Sequence, residues 1–229
     1  MARVGVLALQ GGYQPHLAVL RNLGHEPLEV RSKDELKRVE GLILPGGEST
    51  SQLRLIERQN LGQPLNEFVH SGRAVLATCA GLILAARRVL HPEQPSLGWL
   101  DVTVERNAWG RQLDSFEATA DPSTFSITRC VLPLVFIRAP RIQQVGPSAQ
   151  VLATYREEPI LVRQRNVWGA TFHPELSGDP CVHQAIFGGS NPHSRGPALR
   201  EQAEKARLDH WLRTLPGVRG FLRWSSATS

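Results

Sequence analysis

Cysteine is scarce in this sequence, and its scarcity excludes whole classes of protein. Among 229 residues there are three cysteines, Cys79, Cys130 and Cys181. They are too few and too far apart for a disulfide framework, and no Cys-x-x-Cys pair indicates zinc binding or redox exchange. We therefore expect reduced thiols and no metal site.

Long apolar runs are missing as well. No run approaches the roughly 20 apolar residues that a membrane-spanning helix needs. The opening MARVGVLALQGG has no cleavage-site pattern, so it predicts a first strand rather than a signal peptide. These observations predict a cytoplasmic protein that does not bind a membrane.

Acidic residues are slightly fewer than basic residues, and most of the difference lies in residues 188–229. The formal net charge is +5; residues 188–229 hold seven Lys or Arg against three acids, and residues 1–187 hold 19 against 18. A basic tail without interleaved aromatic residues or a recognisable module does not indicate nucleic-acid binding. We expect no nucleic-acid partner.

Short apolar runs are present and alternate with helix-like stretches. The runs cover residues 3–9, 40–45 and 73–78, and the helix-like stretches cover 14–23 and 51–71, with Gly24 as the cap of the first. This alternation predicts an α/β fold of three layers, a mostly parallel central sheet with helices on both faces. Beyond residue 98 more alternating segments predict further strands, some antiparallel, with turns at Glu158-Pro159 and Arg165-Asn166.

The composition changes near residue 188. GGSNPHSRGP at 188–197 has the Gly, Ser, Pro and Asn content of a linker, and the residues after it predict one helix. We therefore predict one domain over 1–187 and a basic extension over 188–229. The extension could be disordered, packed on the domain or used to contact a partner.

Cys79 follows directly on the apolar run 73–78 and precedes Ala80 and Gly81. In a parallel sheet, the turn from a strand into a helix lies at the edge where ligands bind. A helix N-terminus favours a thiolate, and small residues let a substrate approach. Cys79 is thus a candidate nucleophile, although a buried, inert cysteine is the alternative.

A cysteine nucleophile needs a base and a group that orients the base. In FHPEL at 172–176, Pro174 restricts His173 to extended backbone, and residues two apart in an extended segment share a face. His173 and Glu175 can therefore form such a pair, although His-Pro-Glu alone is more often a solvated turn. Other histidines, including His16, His25, His70 and His91, are interpreted as surface residues.

LPGGEST at 44–50, a third candidate element, stands at the end of the apolar run 40–45. Gly46 and Gly47 can present backbone amides to an oxyanion or a carboxylate. The segment lacks the spacing and the Gly-Lys-Ser/Thr ending of a phosphate-binding loop. A tight turn followed by a Ser or Thr N-cap is the simpler interpretation, and the two are compatible.

The Gly-Gly loop, the cysteine turn and His-x-Glu, in this order, resemble the class I glutamine amidotransferase family, whose fold is flavodoxin-like. The blocks GVLALQGG, LPGGEST, TCAGLIL, VERNAWGRQLDSFE, FIRAP and FHPEL resemble the glutaminase subunits of pyridoxal 5′-phosphate synthase in particular. The six blocks span residue 4 to about residue 187.

The resemblance implies a glutaminase in which Cys79 attacks glutamine, His173 is the general acid and base, and Glu175 orients it. It implies a substrate site and oxyanion donors at the amides of Gly47 and Ala80. The implied substrate-binding residues are Gly46, Gly47, Glu48, Arg106, Ile137 and Arg138. For the two arginines, an ordinary surface or inter-strand ion pair is the alternative.

The resemblance also implies partners: L-glutamine, and a (β/α)8-barrel synthase subunit that receives the ammonia. Glutamine hydrolysis requires no cofactor, and none is expected. Two other functions stay open at the level of sequence. One is a stand-alone cysteine hydrolase of γ-glutamyl or peptide bonds, and the other is a non-catalytic binding domain of the same fold.

Overall fold

The computed structural model describes residues 1–106, 115–120 and 132–188. The strands in these ranges are β1 (Arg3–Leu7), β2 (Glu26–Val30), β3 (Gly41–Leu44), β4 (Ala74–Thr78), β5 (Ala86–Leu90), β6 (Leu100–Glu105), β7 (Ser115–Thr119), β8 (Pro133–Ile137), β9 (Arg141–Val145), β10 (Gln150–Tyr155), β11 (Glu158–Gln164) and β12 (Val167–Ala170). The helices are α1 (Tyr13–Asn22), α2 (Lys33–Lys37), α3 (Ser49–Arg58), α4 (Gly62–His70), α5 (Ala80–Ala85) and α6 (Cys181–Phe187), with a 3-10 turn at Pro174–Leu176.

Seven strands form a central sheet in the order β10-β11-β12-β4-β3-β1-β2. The five strands from β12 to β2 pair in parallel, and β10 and β11 extend the sheet antiparallel. Two small sheets, β5-β6-β9 and β7-β8, complete the described fold. The predicted mostly parallel sheet with an antiparallel part is confirmed.

Each face of the central sheet has its own apolar core. Leu42 and Leu44 of β3 point into a core with residues of α2, α3, α4 and α5, whereas Ile43 points into a core with residues of α1 and α6. Successive strand residues face opposite sides, so continuous apolar strands need a helical layer on each. The three-layer prediction is confirmed.

The neighbouring strands β3, β4 and β12 end at the same edge of the sheet. Leu44 pairs with Ala77, and Ala170 pairs with Thr78, so the segments that leave these strands begin side by side. The Gly-Gly loop, the cysteine and the His-x-Glu segment follow those strand ends. Parallel pairing thus brings together three motifs that are far apart in the sequence.

The predicted helix over 51–71 was wrong, because two helices, α3 and α4, occupy that stretch. Asn60 breaks it with a φ of 53°, and Leu61 N–H donates to the Ile56 carbonyl at 2.9 Å. Asparagine tolerates this left-handed backbone, which ends a helix in the way glycine does. Gly24 ends α1 as predicted, with a φ of 79°.

One predicted turn lies in a different place. The turn between β10 and β11 is at Arg156 and Glu157, both with positive φ, rather than at Glu158-Pro159. A two-residue hairpin turn of this kind needs positive φ at both positions, which proline cannot adopt. The Arg165-Asn166 turn between β11 and β12 is confirmed.

The predicted tail helix lies outside the described residues, as does Cys130, and the proposed division at residue 187 stays a prediction. Strands β2 and β5 and helices α2 and α6 were not anticipated. Within the ranges that the structure describes, the helices are too short or too polar to cross a membrane.

Candidate active site

Cys79 occupies a sharp turn between β4 and α5. Its φ of 49° and ψ of −105° are strained for a residue with a side chain, and its N–H donates to the Ala170 carbonyl at 2.9 Å. The side chain is 6% exposed, and Sγ lies 3.9 Å from the Ile137 carbonyl. The turn aims a largely buried thiol at the edge where the strand ends meet.

His173 and Glu175 form a buried pair beside Cys79. Nδ1 of His173 lies 2.7 Å from Oε1 of Glu175. Burial by itself lowers the pKa of His173, but electrostatic interactions and hydrogen bonds with Glu175 and Cys79 outweigh it and raise that pKa well above its ordinary value. The sequence-predicted thiol, imidazole and carboxylate are therefore brought together.

The backbone positions His173 for this pairing. Its N–H donates to the Val135 carbonyl of β8 at 2.8 Å, and Pro174 starts the 3-10 turn that carries Glu175. Because both side chains lie on one short, tethered segment, the imidazole has little freedom to turn away from the carboxylate.

Gly46 makes the close packing around His173 possible. A Cβ at this position would lie 2.4 Å from His173 Cε1 and 3.5 Å from Cys79 Cβ. Any side chain at residue 46 would therefore displace the imidazole. The glycine predicted for amide presentation is also required by this contact.

Gly47 lies at the exposed end of the same loop, with a φ of 150° that favours glycine. A Cβ here would meet Gln10 Oε1 at 2.8 Å and Gln52 Nε2 at 3.0 Å. The N–H of Glu48 donates to Gln10 Oε1 at 3.1 Å, and Gln52 Nε2 donates to the carbonyls of Gln10 and Pro45 at 3.1 and 3.2 Å. The loop after β1 and the Gly-Gly loop are thus held as one unit.

Gln52 was missed by sequence reasoning. It is 1% exposed and lies on α3, one turn after the Gly-Gly loop. A glutamine in the first turns of an amphipathic helix carries no signal of its own, so only the packing shows its function as a brace for the loop.

Glu48, rather than Ser49 or Thr50, is the N-cap of α3, so the predicted Ser or Thr cap was wrong. The Glu48 carboxylate accepts from the N–H groups of Thr50 and Ser51 at 3.1 and 2.6 Å. Its longer side chain can reach back to these amides, leaving the hydroxyls of Ser49 and Thr50 to bind Gln94. Burial opposes ionisation, but hydrogen bonds from Ser51 and Thr50 lower the Glu48 pKa to about 2.

Arg106 lies against Glu48, another residue that the resemblance assigns to substrate binding. Its guanidinium is 3.2 Å from Glu48 Oε1, and the two side chains are 16% and 48% exposed. The pairing also matches the alternative interpretation of Arg106 as an ion-pair partner. At the end of β8, Ile137 lies beside Cys79 through its carbonyl, and Arg138 is exposed with a φ of 42°.

His16 was wrongly interpreted as a surface residue. It lies on α1, is 0% exposed, and its Nε2 is 3.4 Å from Oε2 of Glu175. Its Nδ1 lies 2.9 Å from Nε2 of His183, which is also 0% exposed, and Thr78 Oγ1 lies 3.3 Å from its Nε2. The spacing of α1 puts residue 16 on its buried face, beside Leu17 and Leu20, which sequence analysis undervalued.

Burial and neighbouring groups together determine the protonation states of His16, His183 and Glu175. Burial lowers the pKa of His16 and lowers that of His183 to about 3, so both rings are neutral near pH 7. Burial opposes ionisation of Glu175, but His16 and His173 hold the pKa of its carboxyl at about 2. Glu175 is therefore a buried carboxylate between two imidazoles.

The arrangement can carry out nucleophilic acyl transfer. It contains a thiol, a base in contact with the thiol and a carboxylate that orients the base. In the described part of the chain, no group of three or more His, Cys, Asp or Glu side chains is placed to hold a metal ion.

Comparison with known proteins places this site in context. The model of the SNO glutamine amidotransferase family matches residues 6–187. The chain is 48% identical over 185 residues to "Pyridoxal 5'-phosphate synthase subunit PdxT" of Shouchella clausii, covering 81% of this chain and 93% of that protein. It is 43% identical over 182 residues to the protein of the same description from Thermotoga maritima, covering 80% and 96%.

Solved structures show the same fold. A structure described as a glutamine amidotransferase is 42% identical, covers 80% of this chain and 96% of its own, and superposes with a TM-score of 0.75. The structure of PurLQS from Thermotoga maritima is 18% identical with a TM-score of 0.64, covers 81% of this chain and 98% of its own, and supports the fold alone.

Proposed function

Because the chain belongs to the SNO glutamine amidotransferase family, we propose that it is the glutaminase subunit of a pyridoxal 5′-phosphate synthase. It hydrolyses L-glutamine to L-glutamate and ammonia. The contact between the Cys79 thiol and a His173 held by Glu175, at the edge where β3, β4 and β12 end, is the observation that carries this proposal.

The first half of the reaction forms a thioester. The Cys79 thiolate attacks the side-chain amide carbon of glutamine, and the new S–C bond puts negative charge on the amide oxygen. The protonated His173 then gives its proton to the leaving nitrogen, the C–N bond breaks, and ammonia departs. The raised pKa of His173 suits it to carry that proton near neutral pH.

The second half releases glutamate. Neutral His173 takes a proton from a water molecule, whose oxygen attacks the thioester carbon. The S–C bond breaks, the thiolate returns, and the imidazolium is restored. Glu175 stabilises the imidazolium in both halves because its carboxylate faces Nδ1, while Nε2 is left for the thiol and the water.

The residues that bind glutamine and its oxyanion lie on the loops around Cys79. Backbone amides near Gly47 and Ala80 stabilise the oxyanion, and loss of one such donor typically costs about 10² to 10³ in rate. Gly46, Glu48 and Arg106 line one side of the glutamine site. Ile137 and Arg138 line the other side, where the exposed guanidinium of Arg138 can meet the α-carboxylate.

The ammonia passes to a synthase partner, for which we propose a (β/α)8-barrel subunit. The PdxT relatives are described as subunits of pyridoxal 5′-phosphate synthase, which supports a partner of that activity. We also place the protein in the cytoplasm, where a reducing environment keeps the Cys79 nucleophile free. Among the residues that the structure describes, neither Cys79 nor Cys181 is in a disulfide.

Purified protein mixed with the barrel synthase tests the proposal. We expect glutamine-dependent release of glutamate and ammonia, and complete loss of both with Cys79→Ala. Cys181→Ala is the matched control, since Cys181 is a second buried cysteine, which lies in an apolar core. Absence of turnover with the synthase present contradicts the proposal, and partner-independent cleavage of γ-glutamyl peptides instead of glutamine would favour a stand-alone hydrolase.

A further inference from the structure

The carboxylate of Glu175 has two oxygens, and the proposed mechanism uses only one of them. Oε1 accepts from His173, whereas Oε2 is fully buried and has no hydrogen-bond partner of ordinary geometry among the described residues. Nε2 of His16 faces this oxygen at a distance of 3.4 Å. A buried carboxylate oxygen left without a donor is costly, so this second oxygen requires an explanation.

The two buried histidines determine each other's tautomers. His16 Nδ1 and His183 Nε2 are 2.9 Å apart, so one of them must carry the hydrogen. If His16 Nδ1 carried it, neutral His16 would turn a lone pair toward Glu175. His183 Nδ1 would then hold a hydrogen with no partner in the described chain.

The opposite tautomer removes both problems. His183 Nε2–H donates to His16 Nδ1, and the hydrogen of His16 moves to Nε2, which faces Glu175 Oε2. The unpartnered His183 Nδ1 is then a bare lone pair, which is less costly to bury than a lone N–H. Thr78 Oγ1, 3.3 Å from His16 Nε2, can accept as a second partner.

We propose that His16 is a positioning residue, whose Nε2–H donates to the second carboxylate oxygen of Glu175 and keeps that carboxylate charged and aimed at His173. His183 selects the tautomer of His16 that can do this. The chain of contacts runs from α6 through α1 to the 3-10 turn and ends at the imidazole that serves Cys79.

The ionisable groups around His16 are few in the described residues. Glu175 and His173 face it from the His-x-Glu segment and His183 faces it from α6, while His25 acts on His183 from a greater distance. Since the neutral rings of His16 and His183 donate hydrogen bonds without adding charge, Glu175 remains the only net negative charge of this buried group.

Two substitutions separate the hydrogen bond from the packing. His16→Gln keeps an N–H close to the position of Nε2, whereas His16→Leu fills the space without a donor. The readout is the rate at which iodoacetamide alkylates Cys79 at pH 7, followed on the Cys79 peptide by mass spectrometry. We expect His16→Leu to slow alkylation at least about tenfold, the rate equivalent of one hydrogen bond to a charged group, and His16→Gln to stay within about threefold of wild type.

Glutamine turnover by the same variants, measured with the synthase present, gives a second readout. This second readout rests on the proposed function. We expect kcat to fall with His16→Leu while KM stays within twofold, since His16 is fully buried and contacts Glu175 rather than the surface of the site. Alkylation needs neither glutamine nor a partner, so a failure of the proposed function leaves this test intact.

Leu20→Ala is the matched structural control, because Leu20 is fully buried on the same helix and its apolar side chain can neither donate nor accept a hydrogen bond. It should lower the thermal midpoint by as much as His16→Leu without slowing alkylation. Wild-type alkylation in His16→Leu overturns the proposal. Equal slowing in His16→Gln and His16→Leu, or in Leu20→Ala, also overturns it, because packing would then be the cause.

Discussion

Glu175 and Glu48 are two glutamates of one site, and both have a carboxyl pKa of about 2. Their surroundings differ in almost every respect. In the deep region of the site, the Glu175 side chain lies behind the His173 imidazole and is 2% exposed. At the mouth of the site, where the Gly-Gly loop meets solvent, the Glu48 side chain is 48% exposed. Similar acidity therefore arises from two different causes.

In the deep region, burial opposes the charge of Glu175, and His16 and His173 overcome it. At the mouth, burial opposes the charge of Glu48 less, and the amides at the start of α3 stabilise it. A carboxylate among imidazoles determines their orientation and protonation. A carboxylate at a helix N-terminus stabilises a loop, so the two should respond differently to the same substitution.

The largest effect is expected for Glu175→Gln. A neutral amide does not stabilise imidazolium and can support the wrong tautomer, so kcat should fall by about 10³ to 10⁴ with little change in KM. Steady-state glutaminase kinetics with the synthase present measure it. Glu57→Gln, an exposed glutamate on α3, is the control and should behave as wild type. A loss below tenfold would remove the proposed orienting function.

Gly46→Ala tests the boundary between the two regions. Its Cβ would lie 2.4 Å from His173 Cε1, so the imidazole must move. A displacement of this order typically costs about 10² in rate, and we expect kcat to fall accordingly. Gly62→Ala is a control, since a Cβ there meets nothing within 4 Å. Unchanged kcat in Gly46→Ala would show that the catalytic pair tolerates displacement.

Glu48→Ala should affect stability before chemistry. Loss of an N-cap typically costs about 1 kcal/mol of unfolding free energy, and loss of the Arg106 partner should change kcat/KM only several-fold. Urea denaturation and glutaminase kinetics on one preparation measure both effects. If Glu48→Ala lowered kcat as strongly as Glu175→Gln, the distinction between mouth and deep region would fail.

A further effect is expected in the pH dependence of stability. A carboxyl whose pKa is lower in the folded than in the unfolded protein stabilises the fold above its unfolded pKa, and this stabilisation is lost as pH falls through the folded value. Both glutamates should therefore make the protein less stable between about pH 5 and pH 2. Urea titrations over this range should show a shallower loss in Glu48→Gln.

High salt should sharpen the contrast. In 1 M salt the contribution of the exposed Glu48 to stability should shrink, because the screening length falls to about 3 Å, while that of buried Glu175 should persist.

The raised pKa of His173 gives stability the opposite dependence on pH. Its stabilisation is complete below its unfolded pKa and is lost as pH rises through the folded value.

Much of the molecule was predictable from local pattern. Continuous apolar runs predict strands buried on both faces, and thus the parallel sheet with helices on each side. The type and setting of Cys79, His173 and Glu175 predict a nucleophile, a base and an orienting carboxylate. The fold inference succeeds, and the three side chains could be singled out as candidates, because period, side-chain chemistry and proline or glycine restrictions act within a few residues along the chain.

Local sequence identifies the residues that could react, whereas the packing of the sheet and helices brings some of them together and sets what surrounds them. The strand order places β12 beside β4, and this pairing puts His173 next to Cys79. The burial of His16, the brace of Gln52 and the cap by Glu48 depend on contacts between segments distant in sequence or on backbone direction. Such contacts depend on how sheet and helices pack, which no local window of residues contains.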